Sequence, residues 1–193
     1  MKKVLIAFAV MIVCAACGNK QAVAPAEGGE ASNEVAFEAK DYYAAVDRYL
    51  TEQIASQYAP GEYSVPVYQE VAVDGSDSTD IRIWGDFWVY NYKQEGDTLK
   101  CVSGGSHPGL MHVCQRGESF YVSDFEQVED GSRFLPSAKR IFGEYFEAFQ
   151  IHHSDGDEHE SLRHDVLRAF VRDHGLSATK YQDYGWPAKD LDL

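Results

Sequence analysis

Three groups of side chains in this sequence have the types and spacing to do chemistry. The first is the run Ile81 to Tyr92. Read as a strand, it sorts by face: Ile81, Ile83, Phe87 and Val89 point one way, and Arg82, Trp84, Asp86, Trp88, Tyr90 and Tyr92 the other. On a curved sheet that second face suits a pocket, where Trp84 and Trp88 stack on a ligand, Tyr90 adds a ring and Asp86 fixes orientation. The alternative is a core face, its rings packed on a helix and Asp86 paired with Arg82, two positions away. The second group is His152, His153, Asp155, Asp157, Glu158, His159, Glu160 and His164. Imidazole and carboxylate together suit zinc or a similar ion, but HExxH is absent. Asp155-Gly156-Asp157 also makes an ordinary inter-helix turn, so no metal ligand is assigned. The third group is Ser106-His107-Pro108-Gly109 with His112, where His107 is a candidate general base or ligand contact. No G-x-S-x-G elbow or assembled triad accompanies it. Glycines between antiparallel strands are not a phosphate loop either, since that needs a strand leading into a helix.

Two further features concern the same chemistry. Tyr181, Tyr184 and Trp186 beside Asp183 lie close to the end of the sequence. Such rings either dock onto the domain or stay out as a binding surface. Cys101 and Cys114 flank the glycine-rich run 104–109, which reads as a hairpin turn. In an oxidising compartment this predicts a Cys101–Cys114 disulfide across the hairpin.

These residues need elements to hold them. Tyr43, Val46, Leu50 and Ile54 recur at helical spacing, predicting a helix from about Glu38 to Tyr58, ended by Pro60-Gly61. The period then becomes two. Val65–Val73, Ile81–Tyr92, Thr98–Ser103, Leu110–Gln115 and Phe120–Val128 are strand candidates, separated by short turn signals that predict an antiparallel meander. Helical spacing returns after Gly131. Pro136 suits a first turn, with Ile141, Phe142, Tyr145, Phe146 and Phe149 as the apolar stripe. A second helix follows from about Glu158 to His174, with Gly175 as its stop. The fold class is α+β: an N-terminal helix, a meander of four to five strands and two C-terminal helices, in one domain over residues 35–193.

The order of elements resembles cystatin-like and NTF2-like folds, in which a curved sheet wraps a helix. Local motifs carry a closer resemblance: Trp84-Gly85-Asp86-Phe87-Trp88-Val89-Tyr90-Asn91-Tyr92, Gly96-Asp97-Thr98-Leu99, Ser103-Gly104-Gly105 with Pro108-Gly109, and Lys180-Tyr181-Gln182-Asp183-Tyr184-Gly185-Trp186-Pro187. They resemble a family of uncharacterised secreted or membrane-attached bacterial domains, over about Ile81 to Pro187. That resemblance implies no activity and transfers no catalytic residue.

The address is read from the other end. Lys2 and Lys3 precede an apolar run, Val4 to Val13, and then Cys14-Ala15-Ala16-Cys17. The run is short for a membrane span. Small residues before a cysteine resemble the bacterial lipobox. This implies a signal over residues 1–16, acylation of Cys17, and a flexible Gly/Ala/Pro-rich tether over residues 17–34. Leucine is usual where Cys14 stands. Gly18 lacks the aspartate that retains some lipoproteins at an inner membrane, which leans toward an outer membrane or the cell surface. A formal net charge of −14 on 193 residues repels phosphate backbones, so nucleic acid is not expected as a partner. The expectation is a membrane-tethered binding domain with no cofactor, bound to the membrane through its lipid alone. Its ligand is a small molecule or a protein that meets Trp84, Asp86, Trp88, Tyr90 and His107. The alternatives are a small hydrolase or isomerase with Asp86 or His107 as base, and an ion-binding module at 152–164.

Overall fold

The computed structural model describes residues 40–193, so the signal run, Cys17 and the tether lie outside the described residues. Helix α1 (Lys40–Tyr49) continues through a π-turn, Leu50–Ile54, and a short 3-10 turn, Ala55–Gln57. Of the expected stripe Val46, Leu50 and Ile54 are buried, together with Tyr42 and Ala45, while Tyr43 is only half-buried.

The meander follows: β1 (Tyr63–Asp74), β2 (Ile81–Glu95), β3 (Thr98–Arg116) and β4 (Ser119–Gln127), each antiparallel to the one before. Two-residue turns opening on Gly96 and Gly117 join β2 to β3 and β3 to β4. Both glycines have positive φ, 62° and 63°, which hairpin turns of matching twist require.

The glycine-rich run 104–109 is not a turn. It is the middle of β3, a continuous strand of 19 residues paired with β2 along almost its whole length. The glycines serve close approach. A Cβ on Gly104 would stand 2.2 Å from the Val89 carbonyl, and one on Gly109 would stand 2.3 Å from the Glu126 carbonyl. Pro108 precedes the first β4 pair, Gly109–Gln127, and its own carbonyl accepts from Val128 N–H at 2.8 Å.

The Cys101–Cys114 disulfide falls with that turn. Both thiols are free. They lie far apart on one strand, roughly 40 Å at about 3.3 Å a residue, whereas a bridge needs Cα atoms within roughly 7 Å.

Three helices follow, where two were expected: α2 (Phe134–Phe142), α3 (Phe146–Ser154) and α4 (Gly156–Asp173). Asp155 caps α4 by accepting Glu158 N–H at 2.9 Å. The tail adds β5 (Lys180–Gln182) and β6 (Lys189–Asp190). β5 lies parallel to the start of β3, so the outer edge of β3 is paired by β5 at Thr98–Lys100 and by β4 at Gly109–Arg116. The class is α+β: a curled mixed sheet with helices on both faces. α1 packs with Ile81, Ile83, Phe87, Val89, Met111 and Val113 on one face. On the other, α4 buries Val65, Val67, Tyr90, Tyr92 and Leu99, and α2 and α3 bury Trp84 and Leu110. Among the described residues no helix is long and apolar enough to cross a membrane.

Candidate functional site

Two groups singled out separately in the sequence meet in space. The even-numbered face of β2 lies under α3 and α4, and it takes two of the histidines. Asp86 is only 4% exposed. Its Oδ1 accepts from Ser106 Oγ at 2.8 Å and its Oδ2 pairs with His153 Nδ1 at 2.6 Å. The His153 ring lies near-parallel to Phe149 and Phe134, with centroids 5.0 and 5.4 Å away. Hydrogen bonding to Asp86 raises the His153 pKa above the usual histidine value, against the opposing effect of burial. On α4, His159 Nε2 meets Tyr90 Oη at 2.7 Å, and its ring covers Trp88 at 4.3 Å. Burial lowers the pKa of His159. The two imidazoles therefore sit on either side of the ordinary value for opposite reasons.

Arg163, on the same inner stripe of α4 as Leu167 and Val171, completes the cluster. It is buried and grips Asp183 through both terminal nitrogens, at 2.8 and 2.7 Å. Its Nε donates to Tyr92 Oη at 2.9 Å, and its guanidinium lies 4.1 Å from the centre of the Tyr90 ring. The pKa of Asp183 falls, first through this hydrogen bonding. Glu160 accepts from the Tyr181 hydroxyl and from Lys189 Nζ, fixing β5 and β6 to α4. Sequence reasoning missed Arg163 and its partner. The signal was there: an arginine on the apolar stripe of a helix needs a buried acceptor, and Asp183 stands among aromatic residues in the tail.

The geometry corrects the expected ligand face. Trp84 is buried under α2, its indole N–H donating to the Ile141 carbonyl at 3.0 Å. Tyr90 is buried, and Trp88 is half-buried beneath His159. Asp86 does not pair with Arg82, which binds Asp74 instead. The rings pack against helices, which was the alternative reading of this face. His107 is separated from the rest. It is paired in register with Phe87 on the α1 side of the sheet, between Tyr58 Oη at 2.8 Å and Gln127 Oε1 at 2.9 Å. Asp86 and His107 therefore face opposite layers and cannot share a substrate.

The ion-binding alternative fails on direction. His152 meets Gln69 and Glu158, His153 meets Asp86, His159 meets Tyr90, and His164 meets the Asp190 carbonyl. Among the described residues no three histidine, cysteine or acidic side chains converge as a metal would need.

The tail divides between the two fates open to it. Tyr181 is buried against α4, whereas Tyr184 is 97% and Trp186 70% exposed. Their loop is nonetheless fixed. Gln182 Nε2 donates to the Trp186 carbonyl at 2.7 Å, Trp186 N–H donates to the Asp183 carbonyl at 3.1 Å, and Asp183 is held by Arg163. Gly185 takes a positive φ of 79° in the turn. Beside the loop opens a cleft of about 350 Å³, lined by Tyr181, Asp183, Trp186, Pro187, Ala188 and Lys189. Comparison with protein-family models, curated proteins and solved structures finds no match to this chain.

Proposed function

We propose that this chain is a lipid-anchored extracytoplasmic binding domain whose contact surface is the tail loop carrying Tyr184 and Trp186. The observation that carries the reading is the pairing of exposure with order: two large rings stand in solvent on a backbone clamped from beneath by Arg163. Exposed aromatic residues on a preorganised loop lose little conformational entropy on binding, and such residues dominate contact energies in known interfaces. The adjoining cleft has room for one flat group against Trp186, with Asp183 and Lys189 at its polar edge. The hydrolase or isomerase reading has less support, because both Asp86 oxygens are engaged and the carboxylate is sealed under α3. Attachment through Cys17 rests on the sequence alone.

A thermal-shift screen of sugars and peptides against the protein tests this reading, with a Tyr184→Ala/Trp186→Ala double variant run beside it. A ligand at a hundredfold excess over its Kd adds about 2.7 kcal/mol to the wild type. The double variant should unfold at the wild-type temperature alone and lose the shift. A ligand that stabilises both proteins equally would put the binding surface elsewhere.

A further inference from the structure

The free edge of β1 lies in an acidic groove. Among the described residues β1 has a strand neighbour, β2, on one side only. Two clefts follow one another along its other side and share Tyr68. One of about 320 Å³ follows Val65–Tyr68, and one of about 580 Å³ follows Tyr68–Glu70. α1 and α4 form the walls. An exposed edge invites another strand, and folded proteins usually block it. Here the block is partial. Pro66 is tolerated because its missing N–H falls on the unpaired side. By the alternation of an antiparallel strand, Ser64 and Tyr68 then turn N–H and C=O outward as well.

The charges choose the occupant. Asp47 and Glu70 line the groove from the α1 side, and Glu158, Asp165 and Asp173 line it from α4; the one basic lining residue is His174. Asp165 and Asp173 have Arg168 and Arg172 of their own helix, and Glu158 has His152. Asp47 and Glu70 have no cation among the described residues, only the hydroxyls of Tyr68 and Tyr43. Glu70 Oε1 is the one buried side-chain oxygen or nitrogen among the described residues that lacks a hydrogen-bond partner.

We infer that this edge receives an extended segment of a partner protein, bearing lysine or arginine, which adds to the sheet beside β1. The main chain supplies register, and the cationic side chains supply the counter-charge that Glu70 and Asp47 lack. A second copy of this chain is a poor occupant, since each copy carries −14.

The test is fluorescence anisotropy of the full chain with a labelled peptide of alternating lysine and valine, about eight residues long. The controls are the same peptide N-methylated on alternate amides and a glutamate–valine counterpart. The lysine peptide should bind, weaken with added salt, and lose roughly tenfold in affinity on Glu70→Gln or Asp47→Asn, as for a lost charge-assisted hydrogen bond. Asp47 is exposed, so its variant folds even where Glu70→Gln does not. Trp186→Ala should leave the affinity unchanged, which separates this surface from the tail loop. Equal binding of either control peptide, or loss of binding on Trp186→Ala, would overturn the inference. So would self-association of the chain through β1 in sedimentation.

Discussion

Arg163 is the side chain on which the α4 face most depends. Its guanidinium is desolvated, and three kinds of partner meet it: a carboxylate, a phenol and an aromatic ring. Removing one half of a buried ion pair leaves the other charge without compensation. Arg163→Met and Asp183→Asn should therefore each cost about 3–5 kcal/mol by chemical denaturation. Arg163→Lys should not restore the loss, because an ammonium cannot grip a carboxylate bidentately. A loss below about 1 kcal/mol would reduce the clamp to a surface pair. The Asp86–His153 pair makes a different demand. Because the folded pKa of His153 is raised, its contribution is full below about pH 6.5 and is lost as pH rises through the raised value. His159 acts oppositely: its folded pKa is lowered, so stability is lost as pH falls below about 6.5. The deficit of His153→Gln against wild type should therefore be largest in mild acid and shrink by about pH 9. Denaturation midpoints at both pH values decide it, and a deficit growing with pH would contradict the assignment. Trp84→Ala, which opens a cavity under α2, should cost about 3–5 kcal/mol. Trp88→Ala should cost distinctly less, its side chain being only half-buried.

At the scale of elements, β3 shows what the sequence disclosed and what it hid. Helix α1, strands β1, β2 and β4 and helix α4 were legible, because each keeps one period over its length and ends on a recognisable breaker. From sequence β3 reads as two strands, because Gly104, Gly105, Pro108 and Gly109 are turn residues by local chemistry. The reason for the three glycines is tertiary: they clear space for the backbones of β2 and β4 and for the Tyr58 hydroxyl. Nothing local distinguishes a glycine that bends the chain from one that lets a neighbour come close. Gly109→Ala should therefore destabilise by about 1–3 kcal/mol, through the clash with Glu126. Gly156→Ala, with open space around it, should be nearly neutral. Equal effects would mean that close approach is not what Gly109 provides. The same local turn chemistry is what suggests a Cys101–Cys114 disulfide. Mass spectrometry of unreduced protein should find Cys101 and Cys114 as free thiols, with Cys101 slow to alkylate because burial raises its pKa. The candidate site was half legible. Periodicity put Asp86 and the rings on one face and the histidines on helices, but only the packing of α3 and α4 onto β2 could show that they meet.

At the scale of the whole molecule, Cys17→Ala should abolish fatty-acid labelling and release the protein from membranes; undiminished label would remove the anchor from the proposal. A formal net charge of −14 favours cationic partners over anionic ones. One consequence of the sheet order reaches into how the molecule comes to exist. The hairpins of β1 to β4 close between neighbours in the chain, but β5 joins the start of β3 from far away, as in the Lys180–Asp97 ion pair, 83 residues apart. A chain emerging from a ribosome or a translocation pore N-terminus first can assemble the meander early. It cannot finish the sheet until Lys180–Gln182 and Lys189–Asp190 are free. Late, long-range pairing of this kind is slow. The tail loop, standing between β5 and β6, would take up its binding geometry only after the meander has formed, and a chain stalled or clipped before Lys180 would lack the surface proposed for recognition.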